Sequence, residues 1–256
     1  MLLSDFAFSS DKQADDFRNV NKKAGKILFV CTSISNVNEK PNGTFLSEIA
    51  ILFIIFHEQG YEIDIVSPKG GVIPICFKFD TTEVISRALN SEYYINKISH
   101  SLTPEQVNPN DYIAVIIPGG YGQFWDIHTN SKMNILISQI YENKGFIGAL
   151  GQGTSTLVNL KLKSGEYFVK DKTLTCFPSW FEKEIMTEAN FGKLLPFDME
   201  LKLKERGANL KPVDKETFSN GQIIDIENRL VTASFADGGL FIATIIHKLI
   251  EESPKK

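Results

Sequence analysis

Between Lys26 and Pro68 the chain switches between two apolar patterns, and that switch restricts the fold more than any other feature. KILFVC at 26–31 is a short unbroken apolar run of the kind buried on both faces of a parallel sheet. TFLSEIAILFIIFHEQ at 44–59 has the length and apolar spacing of a helix, with Gly60 as its stop. YEIDIVSP at 61–68 alternates and is then broken by proline. Strand, helix and strand within so short a stretch make the unit that builds parallel sheets through right-handed crossovers.

The alternation continues. YIAVIIP (112–118), a helix over 131–141, FIGAL (146–150) and a helix from Thr154 are expected in turn. Strands follow near YFVK, TLTCF, GQIIDI and RLVTA, and DGGLFIATIIHKLIEE closes the chain as a helix. The fold class is therefore α/β, a doubly wound α/β/α sandwich with a mostly parallel central sheet. One domain is expected over residues 26–252, behind a polar extension at 1–25, with 72–110 as an insertion carrying short helices.

Composition removes several function classes. The 256 residues are 43% hydrophobic and 23% charged, as in an ordinary globular domain. The formal charge is −4 and Lys and Arg are nowhere concentrated, so no nucleic-acid partner is expected. The longest apolar run, Ile49 to Phe56, falls far short of the roughly 20 residues that cross a bilayer. The first residues lack a basic start and carry Asp5 and Asp11, unlike a signal peptide. Phe6, Phe8 and Phe17 in that polar extension are candidates for docking on the body or on a neighbouring subunit. Cys31, Cys76 and Cys176 are odd in number and widely spaced, suggesting neither a disulfide framework nor a zinc site. A reducing, cytoplasmic setting fits best. His57, His100, His128 and His247 have no ligand spacing, so neither a metal nor a cofactor is expected, and only His128 falls near the expected pocket.

In doubly wound sheets, ligands sit beyond the carboxyl ends of the strands, which directs attention to the turns after Cys31, Ile117, Leu150 and Cys176. After Ile117 comes PGGYGQFWD, whose Gly119 and Gly120 let backbone N–H groups approach a ligand beside Tyr121. After Leu150 comes GQGTS, in which a helix start points free donors outward. Together the two turns suggest a pocket for a carboxylate or an oxyanion. Ala149, Leu150, Gly151, Gln152 and Gly153 also have the spacing of a nucleophile elbow, with glycine where the nucleophile belongs.

Five segments in order, GKILFVCTS, NGTFLSEIAILFIIFHEQGYEIDIVSPKGG, NPNDYIAVIIPGGYGQFWDI, the elbow and FGKLLPFDMELKLKERGA, resemble the DJ-1/PfpI superfamily. That superfamily is class I glutamine amidotransferase-like, and the resemblance, which covers roughly residues 26 to 250, is to its glyoxalase III and heat-shock chaperone branch. It implies a flavodoxin-like sandwich, a homodimer and a site made of an elbow Cys, an adjacent His and a Glu from the first helix. In this chain the Glu matches Glu48, while the Cys position is Gly151 and the His position is Gln152. The elbow's usual Gly-Pro is Gly153-Thr154, the usual His after PGG is Tyr121, and the late segment reads ASFADG at 233–238.

These departures bear on chemistry. A thiolate attacks an aldehyde or ketone carbon and a neighbouring group moves the proton, which Gly151 cannot begin and Gln152 cannot complete. Thr154 and Ser155 read as helix caps, Cys31 and Cys176 as small buried hydrophobes, and Phe124, Trp125 and Phe177 as lining of the mouth or as core. Glu48 is the one surviving catalytic candidate. Gly119, Gly120, Tyr121, Gly151, Gln152 and Gly153 are the candidate ligand-binding residues. The expectation is a non-catalytic family member holding a small molecule, with a stress-protection or chaperone role. The alternative is conversion of 2-oxoaldehydes to 2-hydroxy acids, or another hydrolase or lyase activity with a displaced nucleophile.

Overall fold

The computed structural model describes residues 23, 25–76, 82–184 and 194–253. The expected extension and its Phe6, Phe8 and Phe17 lie outside these residues. KILFVC supplies β1 (Lys26–Val30), the following helix is α1 (Leu46–Glu58), and YEIDIVSP supplies β2 (Glu62–Val66). Beyond a pair of short helices, α2 (Glu83–Asn90) and α3 (Glu92–Ser99), come β3 (Tyr112–Ile117), α4 (Gln123–Asp126), α5 (Ser131–Glu142) and β4 (Phe146–Leu150). The last third carries α6 (Ser179–Glu184), α7 (Met199–Glu205), β5 (Gln222–Asp225), β6 (Leu230–Ala233) and α8 (Gly238–Glu252).

The central sheet has six strands in the order β5-β6-β4-β3-β1-β2. All neighbours run parallel except β5, which returns antiparallel to β6. Strand alternation explains the two apolar layers. In β1, Ile27 and Phe29 point into a cluster with Ile49 and Phe53 of α1 and Ile242 and Ile246 of α8. Leu28 and Val30 point the other way, toward Met133 and Ile137 of α5, Leu157, and Leu203 of α7. Burial on both faces is why the strand shows no polar alternation. The product is the doubly wound α/β/α sandwich expected from the sequence.

Three local expectations fail. YFVK is not a strand: Lys170 N donates to the Tyr167 carbonyl and Lys172 N to that of Val169, curling the segment so that Phe168 and Val169 are buried side by side. TLTCF pairs only over Thr173–Leu174. The helix expected from Thr154 is a 3₁₀ stretch, Gly151–Asn159, starting at once from β4. Its Thr154-Ser155-Thr156 run has weak α-helix propensity, which suits the tighter turn.

Candidate functional site

The carboxyl ends of β3 and β4 lie side by side, with Ile117 paired to Ala149, so the two glycine turns that follow them are neighbours. Glu48, in the first turn of α1, reaches between them. Gly119 N donates to Glu48 Oε2 at 2.6 Å, and the Gly119 carbonyl accepts from Phe45 N at 3.0 Å. A Cβ on Gly119 would stand 2.4 Å from that carboxylate oxygen, so only glycine permits the approach. One backbone donor that the sequence assigned to a ligand is thus engaged by Glu48.

Gly151 begins the 3₁₀ stretch at φ +55°, the left-handed conformation of an elbow tip. A Cβ there would lie 3.4 Å from Glu48 Oε1 and 3.6 Å from the Ser234 carbonyl oxygen, so a side chain at the tip would meet the carboxylate. The structure therefore brings Glu48, Gly119 and Gly151 together. Thr154 and Ser155 do not cap: their hydroxyls, with that of Thr156, are buried without a hydrogen-bond partner among the described residues. Gly153 passes so close to β3 that a Cβ would sit 2.4 Å from the Ile117 carbonyl oxygen.

A second carboxylate completes the arrangement. Glu182, in α6, accepts from Gln152 Nε2 at 3.0 Å through one oxygen and from the Tyr121 hydroxyl at 2.8 Å through the other. The acceptor on Glu182 fixes the amide orientation of Gln152, leaving Gln152 Oε1 buried and without a hydrogen-bond partner among the described residues. Burial first, and the Glu182 carboxylate second, push the Tyr121 phenol well above its ordinary range, so it serves as a proton donor in hydrogen bonds. Gly120 adds a close crossing: a Cβ on it would meet the Gly43 carbonyl oxygen at 2.2 Å. Glu48, Tyr121, Gln152 and Glu182 are all at most 6% exposed, so the site is an enclosed polar nest rather than an open cup.

Glu182 was missed from sequence because SWFEKE is a short amphipathic turn with two acids, Glu182 and Glu184, and nothing in the pattern singles out the first. The signal was its place after Cys176, one of the strand-end turns picked out for search. Asp126 was missed too. It follows the PGG turn, accepts from Thr32 Oγ1 at 2.9 Å and Ser33 N at 2.7 Å, and burial pushes its carboxyl up to about 6.

The thiols lie elsewhere. Cys31 follows β1, fully buried, and burial pushes it up to about 12, while burial also raises Cys176 well above the ordinary thiol range. Neither is poised as a thiolate. Cys76 is half-buried and packs against the small cluster formed by Phe45 and Tyr121, together with Trp125. Phe124 and Phe177 border a cavity next to Glu182. His128 lies tilted against Phe197, ring centroids 5.0 Å apart, and burial lowers its tendency to protonate. His57 stacks on Tyr93, and His247 Nδ1 is 2.9 Å from the Tyr61 hydroxyl, both away from the elbow.

Known proteins share this frame. Glyoxalase 3 of Candida albicans is 24% identical over 218 residues, covering 78% of this chain and 90% of that protein. Glutathione-independent glyoxalase hsp3101 of Schizosaccharomyces pombe is 23% identical, covering 88% and 98%. Among solved structures, Rapid Encystment Protein 24 KDa of Francisella tularensis superposes with a TM-score of 0.76 at 26% identity, over 88% of this chain and 99% of that one. The glyoxalase III structure from Candida albicans gives 0.75 at 20% identity, over 90% and 98%. Residues 41–193, which hold α1 with Glu48, both glycine turns and Glu182, match the model of the DJ-1/PfpI family, and the chain belongs to that family.

Proposed function

We propose that the protein is a small-molecule-binding member of the family that does not use thiol chemistry at its elbow. The observation that carries this proposal is the glycine at position 151, held at φ +55° with the Glu48 carboxylate beside the point where a side chain would begin. Attack on a carbonyl carbon needs an electron-pair donor at that point, and glycine offers none. Gln152, next to it, donates to Glu182 and cannot carry a proton between atoms at neutral pH. What remains is a set of hydrogen-bonding groups suited to holding a polar molecule: Glu48, Gln152 with an oxygen that has no hydrogen-bond partner among the described residues, and the Tyr121–Glu182 pair.

The experiment is restoration. Gly151→Cys with Gln152→His, assayed on methylglyoxal beside the unaltered protein, is expected to gain only slight turnover, because Tyr121 and the 233–238 segment differ from the family pattern as well. Unaltered protein that converts methylglyoxal at a rate matching a parallel sample of one of the yeast glyoxalases overturns the proposal.

A second function is favoured by the relatives, which carry the name glyoxalase over most of their length. On that account the protein converts 2-oxoaldehydes to 2-hydroxy acids, with Glu48, Glu182 and Tyr121 moving protons and a displaced nucleophile such as Cys76, which packs by Tyr121. It requires that Glu48→Gln and Cys76→Ser each remove activity. Turnover unaffected by both variants rules this route out.

A further inference from the structure

Lys172 is buried, which is uncommon for a lysine. It joins the curled segment that carries Phe168 to the short strand Thr173–Leu174, and it is 7% exposed. Its Nζ stands 5.0 Å from the centre of the Phe168 ring and 5.8 Å from that of Tyr141, at the end of α5. The two rings meet edge to face, 4.8 Å apart, and both are buried. Among the described residues the Lys172 ammonium has no carboxylate within ion-pairing distance and no hydrogen-bond acceptor; its close contacts are the faces of these rings.

A second cation shares Tyr141. Arg229 holds its guanidinium carbon 4.5 Å from the centre of that ring and donates from Nε to the Gly145 carbonyl and from Nη2 to the Tyr141 carbonyl, which fix it in place. The acids nearby are committed elsewhere or exposed. Asp225 accepts from Thr173 N, Asn228 N and Asn228 Nδ2, Glu166 pairs with Lys170, and Asp171 is exposed. Burial is the main influence on Lys172 and loosens its hold on a proton; Asp225 opposes this, Arg229 adds to it, and Asp171 and Glu166 oppose it more weakly. A lysine desolvated against apolar groups, or set beside another cation, is thereby made a nucleophile.

We infer that Lys172 is a nucleophilic amine that condenses with small aldehydes of about one to three carbons. The nitrogen lone pair forms the C–N bond as the carbonyl π pair moves to oxygen. A proton passing from nitrogen to that oxygen gives the carbinolamine, and loss of water leaves the imine, with no oxidant or reductant taking part. The product suits its surroundings: an imine holds a proton less tightly than the parent amine, so no bare charge is left among the rings beside a guanidinium. The size limit follows from the 7% exposure, which keeps a bulky electrophile from the nitrogen. The site goes beyond the small-molecule binding proposed at the elbow and lies at the other end of the sheet. Arg229 precedes β6, whose first residue Leu230 pairs with Ile147, whereas the elbow follows Leu150 at the carboxyl end of β4.

The test is labelling of the folded full chain with formaldehyde and cyanoborohydride, which reduces each imine to a stable methylamine, followed by peptide mass mapping. At neutral pH Lys172 is expected to be methylated about five times faster, or more, than the exposed Lys144, Lys204 and Lys211, because more of it is unprotonated. At a pH of about 11, where ordinary lysines have also released their protons, that lead is expected to disappear. Benzaldehyde in place of formaldehyde is expected to label the three exposed lysines and leave Lys172 unmodified. Methylation of Lys172 at neutral pH no faster than that of the exposed lysines overturns the inference, as does a lead unchanged at high pH. Preferential labelling of Lys172 by benzaldehyde overturns the assignment to small aldehydes. None of these outcomes bears on lactate formation from methylglyoxal, which tests the elbow separately.

Discussion

At the scale of single residues, the turns around the site impose different costs on substitution. Gly151→Ala puts a Cβ at ordinary contact distance from Glu48 but keeps a left-handed φ, so a destabilisation of about 1–2 kcal/mol is expected from denaturant unfolding. Gly120→Ala must also move the Gly43 carbonyl, 2.2 Å from the added carbon, and is expected to cost more than Gly151→Ala. Equal stability of the two variants would contradict the crossing of these loops. Asp126 gives a pH signature. Its carboxyl is held protonated up to about 6 in the fold but releases its proton near 3.8 when unfolded, so between those values the folded form binds more protons. Stability is therefore expected to fall as pH rises from 3.8 to about 6 and to level off above, and Asp126→Asn to flatten the slope. Urea midpoints measured across that range check the sign. The meeting of Glu48 with the two glycine turns at Gly119 and Gly151 was legible in the sequence, because each belongs to a local pattern. Glu182 was not, since its partners Tyr121 and Gln152 are distant along the chain and only the fold brings them to one carboxylate.

At the scale of elements, the sheet and its helices fit through one small residue. Gly148, in the middle of β4, lies under α8, where an added Cβ would stand 2.7 Å from Ile242 Cγ2 and from Ile246 Cδ1. Gly148→Ala is expected to destabilise by about 1–3 kcal/mol through overpacking, and Gly148→Ala with Ile246→Val to recover part of the loss. A variant as stable as the parent would mean that α8 does not press on β4 this closely. Long periodic elements were legible: FIGAL is β4 from end to end and the closing run is α8. Short ones were not. YFVK has strand-forming side chains, yet Gly165 at φ +88° and Asp171 at φ +61° turn the chain on either side of it. Backbone signs of that kind outweigh β propensity over four residues.

At the scale of the whole molecule, the order of strands and the two apolar layers follow from the βαβ pattern at the start of the chain, which is why the fold was legible before the site. Among the described residues no helix is long and apolar enough to cross a membrane. The homodimer implied by family resemblance is a proposal that light scattering after gel filtration decides, with a mass near twice 28.7 kDa expected. Ile224 on β5, Ile226 just beyond it and Leu240 on α8 are exposed apolar side chains. The central claim is the proposal for the elbow, where Gly151 at φ +55° stands beside the Glu48 carboxylate. Its most direct test is the rate at which pure, unaltered protein converts methylglyoxal to lactate without glutathione. The account predicts no lactate above the protein-free control; sustained formation of lactate that Glu48→Gln abolishes would contradict it.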